Sequence, residues 1–207
     1  MGRMLPVIAC GWMCVCASGG SITGATLTGA GGVIPDFNVT TPGVFTSSVT
    51  VTTGAVVTGV SFLGLQHTWC GDLSMTLTGP AGQSMTFFYR PGQTTKSSVA
   101  QNVDFLAGNS YGFTDGGSAW PTVAGASAVL PSGVYAPVRS AFSPGGGVFG
   151  DIIAALPGDV VTLTIRDHTA QDTGSLEGWT LHYIPFPAPG GVALFGAACV
   201  FGARGRR

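Results

Sequence analysis

Acidic oxygen is the chemistry this sequence offers most plainly. Eight of its nine acids are aspartates, and the ninth is Glu177. Short carboxylates in loops suit two tasks: capping turns through nearby backbone amides, and giving oxygens to a hard cation such as calcium. Asp72 is well placed for either, because it stands in His67-Thr-Trp-Cys-Gly-Asp72 at the mouth of an alternating segment. Nucleophilic chemistry has a weaker claim. Gly108-Asn-Ser110-Tyr-Gly112 fits the G-x-S-x-G pattern, and His67, His168 and His182 could serve as bases. That pattern works only where a strand turns sharply into a helix, and Phe113-Thr-Asp-Gly-Gly117 is a poor helix start. His67 and Trp69 read instead as packing around the Asp72 loop, and Trp179 as core. Cys14-Val-Cys16 lacks the second pair of a zinc site, and Cys70 is the one cysteine of the body, so no internal disulfide framework is expected there.

The residues that could do chemistry must be held by strands. Leu73, Met75 and Leu77 alternate with Ser74, Thr76 and Thr78, which is the two-residue period of a half-buried strand. Gly79-Pro-Ala-Gly82 then forces a turn, and Gln83–Tyr89 returns. Val161, Leu163 and Ile165 alternate with Thr162, Thr164 and Arg166, and Trp179, Leu181 and Tyr183 alternate with Thr180 and His182. Val49 and Val51 give an earlier strand. Gly64, where the apolar parity changes, reads as a bulge that re-aims the chain into the His67 corner. Charged residues are only 8% of the chain, against roughly 25% in an average soluble domain, while there are 34 Gly and 13 Pro. Strands joined by tight turns accept that composition and helices do not. The expected class is all-β, a sandwich or jelly roll.

Charge narrows the partners. Four arginines sit at the chain ends; between them, four cations stand against nine carboxylates, a net of −5. A negative body without a basic patch argues against nucleic acid. Residues 1–18 read as a secretory signal: Arg3, a short apolar run, then small residues before a cut after Ala17. Residues 19–34 read as a Gly/Thr/Ala linker, and 35–185 as the folded domain. The segment 186–207 changes character, with prolines, a short apolar stretch and a terminal arginine cluster. The apolar stretch is marginal for a bilayer span, which takes about 20 residues, so both termini suit transient membrane contact.

In order along the chain stand His67-Thr-Trp-Cys-Gly-Asp-Leu73, Gly79-Pro-Ala-Gly82, Phe113-Thr-Asp115, Gly133-Val-Tyr-Ala-Pro137, Leu163-Thr-Ile-Arg-Asp167 and Asp172-Thr-Gly174, with Gly178-Trp-Thr-Leu181 behind. This order resembles the P domain (P/Homo B domain) that follows the catalytic domain of proprotein convertases and many bacterial subtilisin-like proteases. The similarity covers roughly Pro35–Ile184. It implies a galactose-binding-like jelly-roll β-sandwich, flanked by flexible or short helical targeting segments. It also implies calcium near one end, held by Asp72, Asp115, Asp167 and Asp172. The middle departs from the family, since Gly150-Asp-Ile-Ile153 lacks its usual tryptophan and Ser118–Ser132 is long and apolar. The tail, with Pro187-Ala-Pro-Gly190, resembles a PEP-CTERM sorting signal, which implies export and processing by an exosortase-type enzyme. Together these imply a secreted, non-catalytic binding or structural module at the cell envelope or in extracellular matrix, with a glycan or protein ligand. The alternative is an accessory subunit of a separately encoded subtilisin-like serine endopeptidase, the protease then being its partner.

Overall fold

A computed structural model of the chain describes residues 22, 24–39, 41, 43–95, 100–121 and 128–186. The expected secretory signal, and all of the expected sorting tail but Phe186, lie outside the described residues. The fold is all-β. Its strands in chain order are β1 (Ala25–Ile34), β2 (Gly43–Thr50), β3 (Gly54–Leu63), β4 (Gln66–His67), β5 (Leu73–Thr78), β6 (Ser84–Tyr89), β7 (Val103–Asp104), β8 (Tyr111–Ser118), β9 (Ala128–Val129), β10 (Gly133–Tyr135), β11 (Val138–Arg139), β12 (Ile153–Ala154), β13 (Val160–Asp167) and β14 (Gly174–Phe186). Helix is confined, among the described residues, to two single 3-10 turns, Cys70–Asp72 and Phe149–Asp151.

Two sheets face each other. The first has the order β1-β14-β3-β8-β10, with β12 added to β3 and β4 to β14. The second has the order β11-β6-β5-β13-β2. The alternation read from the sequence sets which rows face inward. Leu73, Met75 and Leu77 of β5, Val161, Leu163 and Ile165 of β13, and Trp179, Leu181 and Tyr183 of β14 are all buried. Aromatic rings close the space between the sheets: Phe113 of β8 lies 5.3 Å from Phe87 and 5.7 Å from Phe88 of β6, centroid to centroid. Trp120, from the apolar segment after β8, caps this group at 5.2 Å from Phe88. Tilted and edge-on pairs of this kind add to the gain from burial.

Two readings are corrected. Residues 25–34 are not linker. They form β1, paired along its length with β14, so the folded domain begins ten residues before Pro35. The glycines that disguise this strand are the reason it fits. Gly29 stands opposite Trp179, whose indole lies where a side chain would be, and Gly31 sits against the backbone of Leu176 and Glu177. The space at Gly29 lets Trp179 reach across the core and donate its ring N–H to Ser47 Oγ on β2, at 2.9 Å. The second correction concerns Gly64. It ends β3 in a left-handed turn with φ of 62°, while the irregularity in strand pairing falls earlier, opposite His182 and Tyr183.

A methyl at Gly29 would overlap the Trp179 ring, so Gly29→Ala should lower unfolding free energy by about 1–3 kcal/mol. Gly116→Ala on β8, which meets only open space, should be close to neutral. Urea unfolding of the two variants checks the difference; equal stabilities would remove Gly29 from its assigned role.

Candidate functional site

β5 begins and β13 ends at the same rim, and their register sets Asp167 opposite Leu73, the residue after Asp72. The chain enters β5 through the Cys70–Asp72 turn, whose residues are all buried. Four elements therefore converge here: the β4 corner, this turn, the end of β6 and the β13–β14 connection.

Asp72, Asp167 and Asp172 each have a protein partner at the rim. Asp167 is fully buried, and His67, also fully buried, donates Nε2–H to its Oδ2 at 3.3 Å. The Thr169 amide donates to Asp167 Oδ1 at 3.0 Å. With Nε2 protonated, the other ring nitrogen of His67 accepts from the Trp69 amide at 3.2 Å; a doubly protonated ring would donate instead to the Trp69 carbonyl at 3.0 Å. Asp72 lies 3.7 Å from the Arg90 guanidinium, which also donates through Nε to the Gly71 carbonyl. Burial pushes the Asp72 carboxyl above its ordinary range, and Asp167 and Asp172 push the same way, against the Thr169 hydroxyl and Arg90. Arg90 reaches this position from a left-handed backbone, φ 38°, an uncommon state for a residue with a side chain. Asp172 accepts from the Thr68 hydroxyl at 2.7 Å.

Asp115 is elsewhere. β8 runs antiparallel to β3, and Thr114 pairs with Gly59, so Asp115 is carried toward the opposite end of the sandwich. There it accepts from the Phe149 amide at 3.0 Å. The four aspartates expected to share calcium are thus divided three and one, and the three are turned to separate protein partners. As one donor set for a cation they do not fit. Among the described residues no three histidine, cysteine or acidic side chains stand close enough to hold a metal ion. A residue that sequence reasoning passed over, Asp104 on β7, joins the rim. One of its carboxyl oxygens is buried without a hydrogen-bond partner, and burial and Asp172 push its pKa up. The alternation Val103-Asp104-Phe105 carried that signal, since it puts a carboxylate between two buried residues. Asp104 lines a small pocket of about 320 Å3 with His67, Thr68 and Leu106.

The sequence pattern around Ser110 forms no nucleophile elbow. Ser110 sits in a turn that runs into β8, a strand, and its amide donates to Ser132 Oγ at 3.1 Å. The turn instead helps build a groove of about 580 Å3 on the outer face of the first sheet. Hydroxyls of Ser61, Ser110, Ser132 and Thr180 line it, with apolar Leu63 and Val134. No charged residue contributes to its walls. Beside it, Ser61 Oγ lies 2.9 Å from His182 Nε2, and burial holds the His182 pKa below its ordinary value. Comparison with known protein families finds no model that matches the chain, and a search of curated proteins finds no match.

Two outcomes follow from this geometry. Asp167→Ala leaves a buried imidazole N–H unpaired and should cost about 3–5 kcal/mol. Asp172→Ala, at an exposed hydrogen bond, should cost about 1 kcal/mol or less; chemical denaturation separates them. The second outcome concerns pH. His168, hydrogen-bonded to Ser74 Oγ at 2.8 Å, is held below its ordinary pKa of 6.5 by burial and then by Arg90, and His182 by burial. The unfolded chain therefore takes up protons before these rings do. Stability should fall as pH drops through about 6.5, and the fall should shrink in His168→Gln/His182→Gln. Asp72, Asp104 and Asp115 are shifted up, so they act with the opposite sign and at lower pH. Melting temperature measured from neutral pH downward reads the sign; a rise on first acidification would contradict it.

Proposed function

We propose that this chain is an exported, non-catalytic binding module of the cell envelope or extracellular matrix, and that it holds an uncharged glycan in the groove on the first sheet. The observation that carries the reading is the groove itself. Its volume is that of ordinary small-ligand sites, about 300–1,000 Å3, and its lining joins four hydroxyls to apolar Leu63 and Val134 without a charge. A sugar ring presents the same mixture, with hydroxyls that both donate and accept and a C–H face that prefers apolar contact. Support for export comes from the character of residues 1–18 and 186–207, and support for an accessory, P-domain-like jelly-roll module from the ordered motifs between them.

The Ser61–His182 pair has the residue types of a nucleophile and its base. Hydrolysis also needs free donors aimed at the oxyanion. Ser61 lies mid-strand, paired with Thr180 on one side and Gly112 on the other, so the surrounding amides belong to the sheet ladders. The pair therefore reads as an orienting hydrogen bond beside a binding surface.

Titration calorimetry with neutral oligosaccharides, such as cello-, chito- and xylo-oligomers, tests the reading. At least one series should bind with saturation, and Ser132→Arg, which fills the groove and introduces charge, should weaken it by tenfold or more without changing the circular dichroism spectrum. Saturable binding unchanged by Ser132→Arg, or no binding by any neutral series, would overturn it.

A further inference from the structure

The outer face of the second sheet carries an ordered field of hydroxyls. Strand β6 contributes Ser84 and Thr86, β5 Thr76 and Thr78, β13 Thr162 and Thr164, and β2 Thr46, Ser48 and Thr50. Register sets them side by side. Thr86, Thr76, Thr164 and Thr46 form one row across four strands, and Ser84, Thr78, Thr162 and Ser48 form the next. Neighbours lie about 4.8 Å apart across the strands and about 6.8 Å along them. Thr86 is buried at one end of its row, where Gly145 closes over it. The other seven residues of the two rows are exposed or half-buried. Two cations flank the rows: Arg139, which donates to the Thr86 carbonyl at 3.2 Å, and Arg166, on the next outward row beyond Thr164.

Composition does not account for this. The outer face of the first sheet is built by the same chain, and there Thr180 and Ser61 are mixed with His182, Glu177 and the exposed Leu63 and Ile184. On the second sheet hydroxyls hold every outward position of two adjacent rows across four strands, and the outward Val44, Val160 and Arg166 stand outside those rows. We propose that this face is a second binding surface, and that its ligand is an extended chain of a neutral polysaccharide.

Four properties select that ligand. The two rows themselves carry no charge, and Arg139 and Arg166 stand only at their margins, so most of the contact offered to a polymer is neutral. Each hydroxyl both donates and accepts, which matches a partner made of hydroxyls. Where two pair with each other, Ser48 with Thr162 at 2.8 Å and Thr76 with Thr86 at 2.9 Å, one O–H of each pair stays free to donate outward. The threonines are stiff at χ1, so little freedom remains to be lost on binding. Finally, neighbouring strands rotate by about 20–25°. Regular rows on a twisting surface suit a polymer chain that can twist with them, and they do not suit a flat crystal plane such as ice. The surface lies on the opposite sheet from the groove and shares no residue with it, so this inference does not depend on the groove reading.

Co-sedimentation with insoluble cellulose and chitin, beside adsorption to ice, tests the inference. Wild-type protein should sediment with at least one of the two polymers. Thr76→Val/Thr164→Val keeps shape and strand preference while removing two hydroxyls, and should weaken retention about tenfold. Thr46→Val/Ser48→Ala, on the outermost strand, should weaken it in the same direction should the first pair disturb packing. Ser132→Arg in the groove should leave retention unchanged. Absence of sedimentation, retention indifferent to both pairs, loss in Ser132→Arg, or adsorption to ice in place of the polymers would each overturn it.

Discussion

Strict two-residue alternation in β5, β13 and β14 is the constraint on which the molecule rests. Side chains of a strand alternate between faces, so a slip of one residue turns every one of them over. A slip in β13 would bring Val161, Leu163 and Ile165 into water and push Thr162, Thr164 and Arg166 into the core. Each large aliphatic side chain gains about 1.5–3 kcal/mol by burial, and an unpaired buried hydroxyl costs a further 1–3 kcal/mol or about that. The penalty exceeds the net stability of an ordinary domain, about 5–15 kcal/mol, once the arginine is counted. The register that protects the core also fixes the outward rows and brings Asp167 to the Asp72 turn.

The rim follows from that register. A carboxylate buried as deeply as Asp167 is retained only with partners, and His67 and the Thr169 amide supply them. Arg90 does the same for Asp72 from a backbone conformation that few arginines adopt. The network ties the β4 corner, the Cys70–Asp72 turn and the β13–β14 connection into one unit. It also gives Asp72, Asp167 and Asp172 separate protein partners. The rim is thus a lock on the end of the sandwich, with a pocket of about 320 Å3 beside it, and the groove of about 580 Å3 lies on the outer face of the first sheet.

How much of this could be read beforehand depended on whether a residue's signal was local. The inward rows of β5, β13 and β14 were legible because alternation is a property of neighbours in sequence. The meeting of Asp72 and Asp167 was expected only from the resemblance, because alternation marks where a strand begins or ends and not which ends meet; the antiparallel register of β5 and β13 decides that. Strand β1 was hidden because its evidence is a cross-strand vacancy: Gly29 means linker by itself and means strand only beside Trp179. Asp115 was misplaced for a related reason. It follows a good inward row, Tyr111 and Phe113, but the direction of β8 against β3 decides which end it reaches. Asp104 was missed since a two-residue strand gives alternation too little length to stand out.

Low charge ties these features together. Many charges of the described fold gather toward its ends, with Asp72, Arg90, Asp104, Asp167 and Asp172 at one and Asp115, Arg139 and Asp151 grouped elsewhere, while Glu177 and Arg166 stand on the faces. A β-sandwich ordinarily keeps its broad faces soluble with lysine and glutamate. Here threonine and serine carry that burden, and threonine also holds strand conformation through its branched side chain. The substitution changes what the faces can meet. A charged face repels like charge and takes hydrated counterions, whereas a hydroxyl face is indifferent to ionic strength and recognises only what can exchange hydrogen bonds with it. With so few charges on them, the broad faces are open to neutral partners, and the arrangement of their hydroxyls, set by strand register, becomes the feature that distinguishes one face from the other.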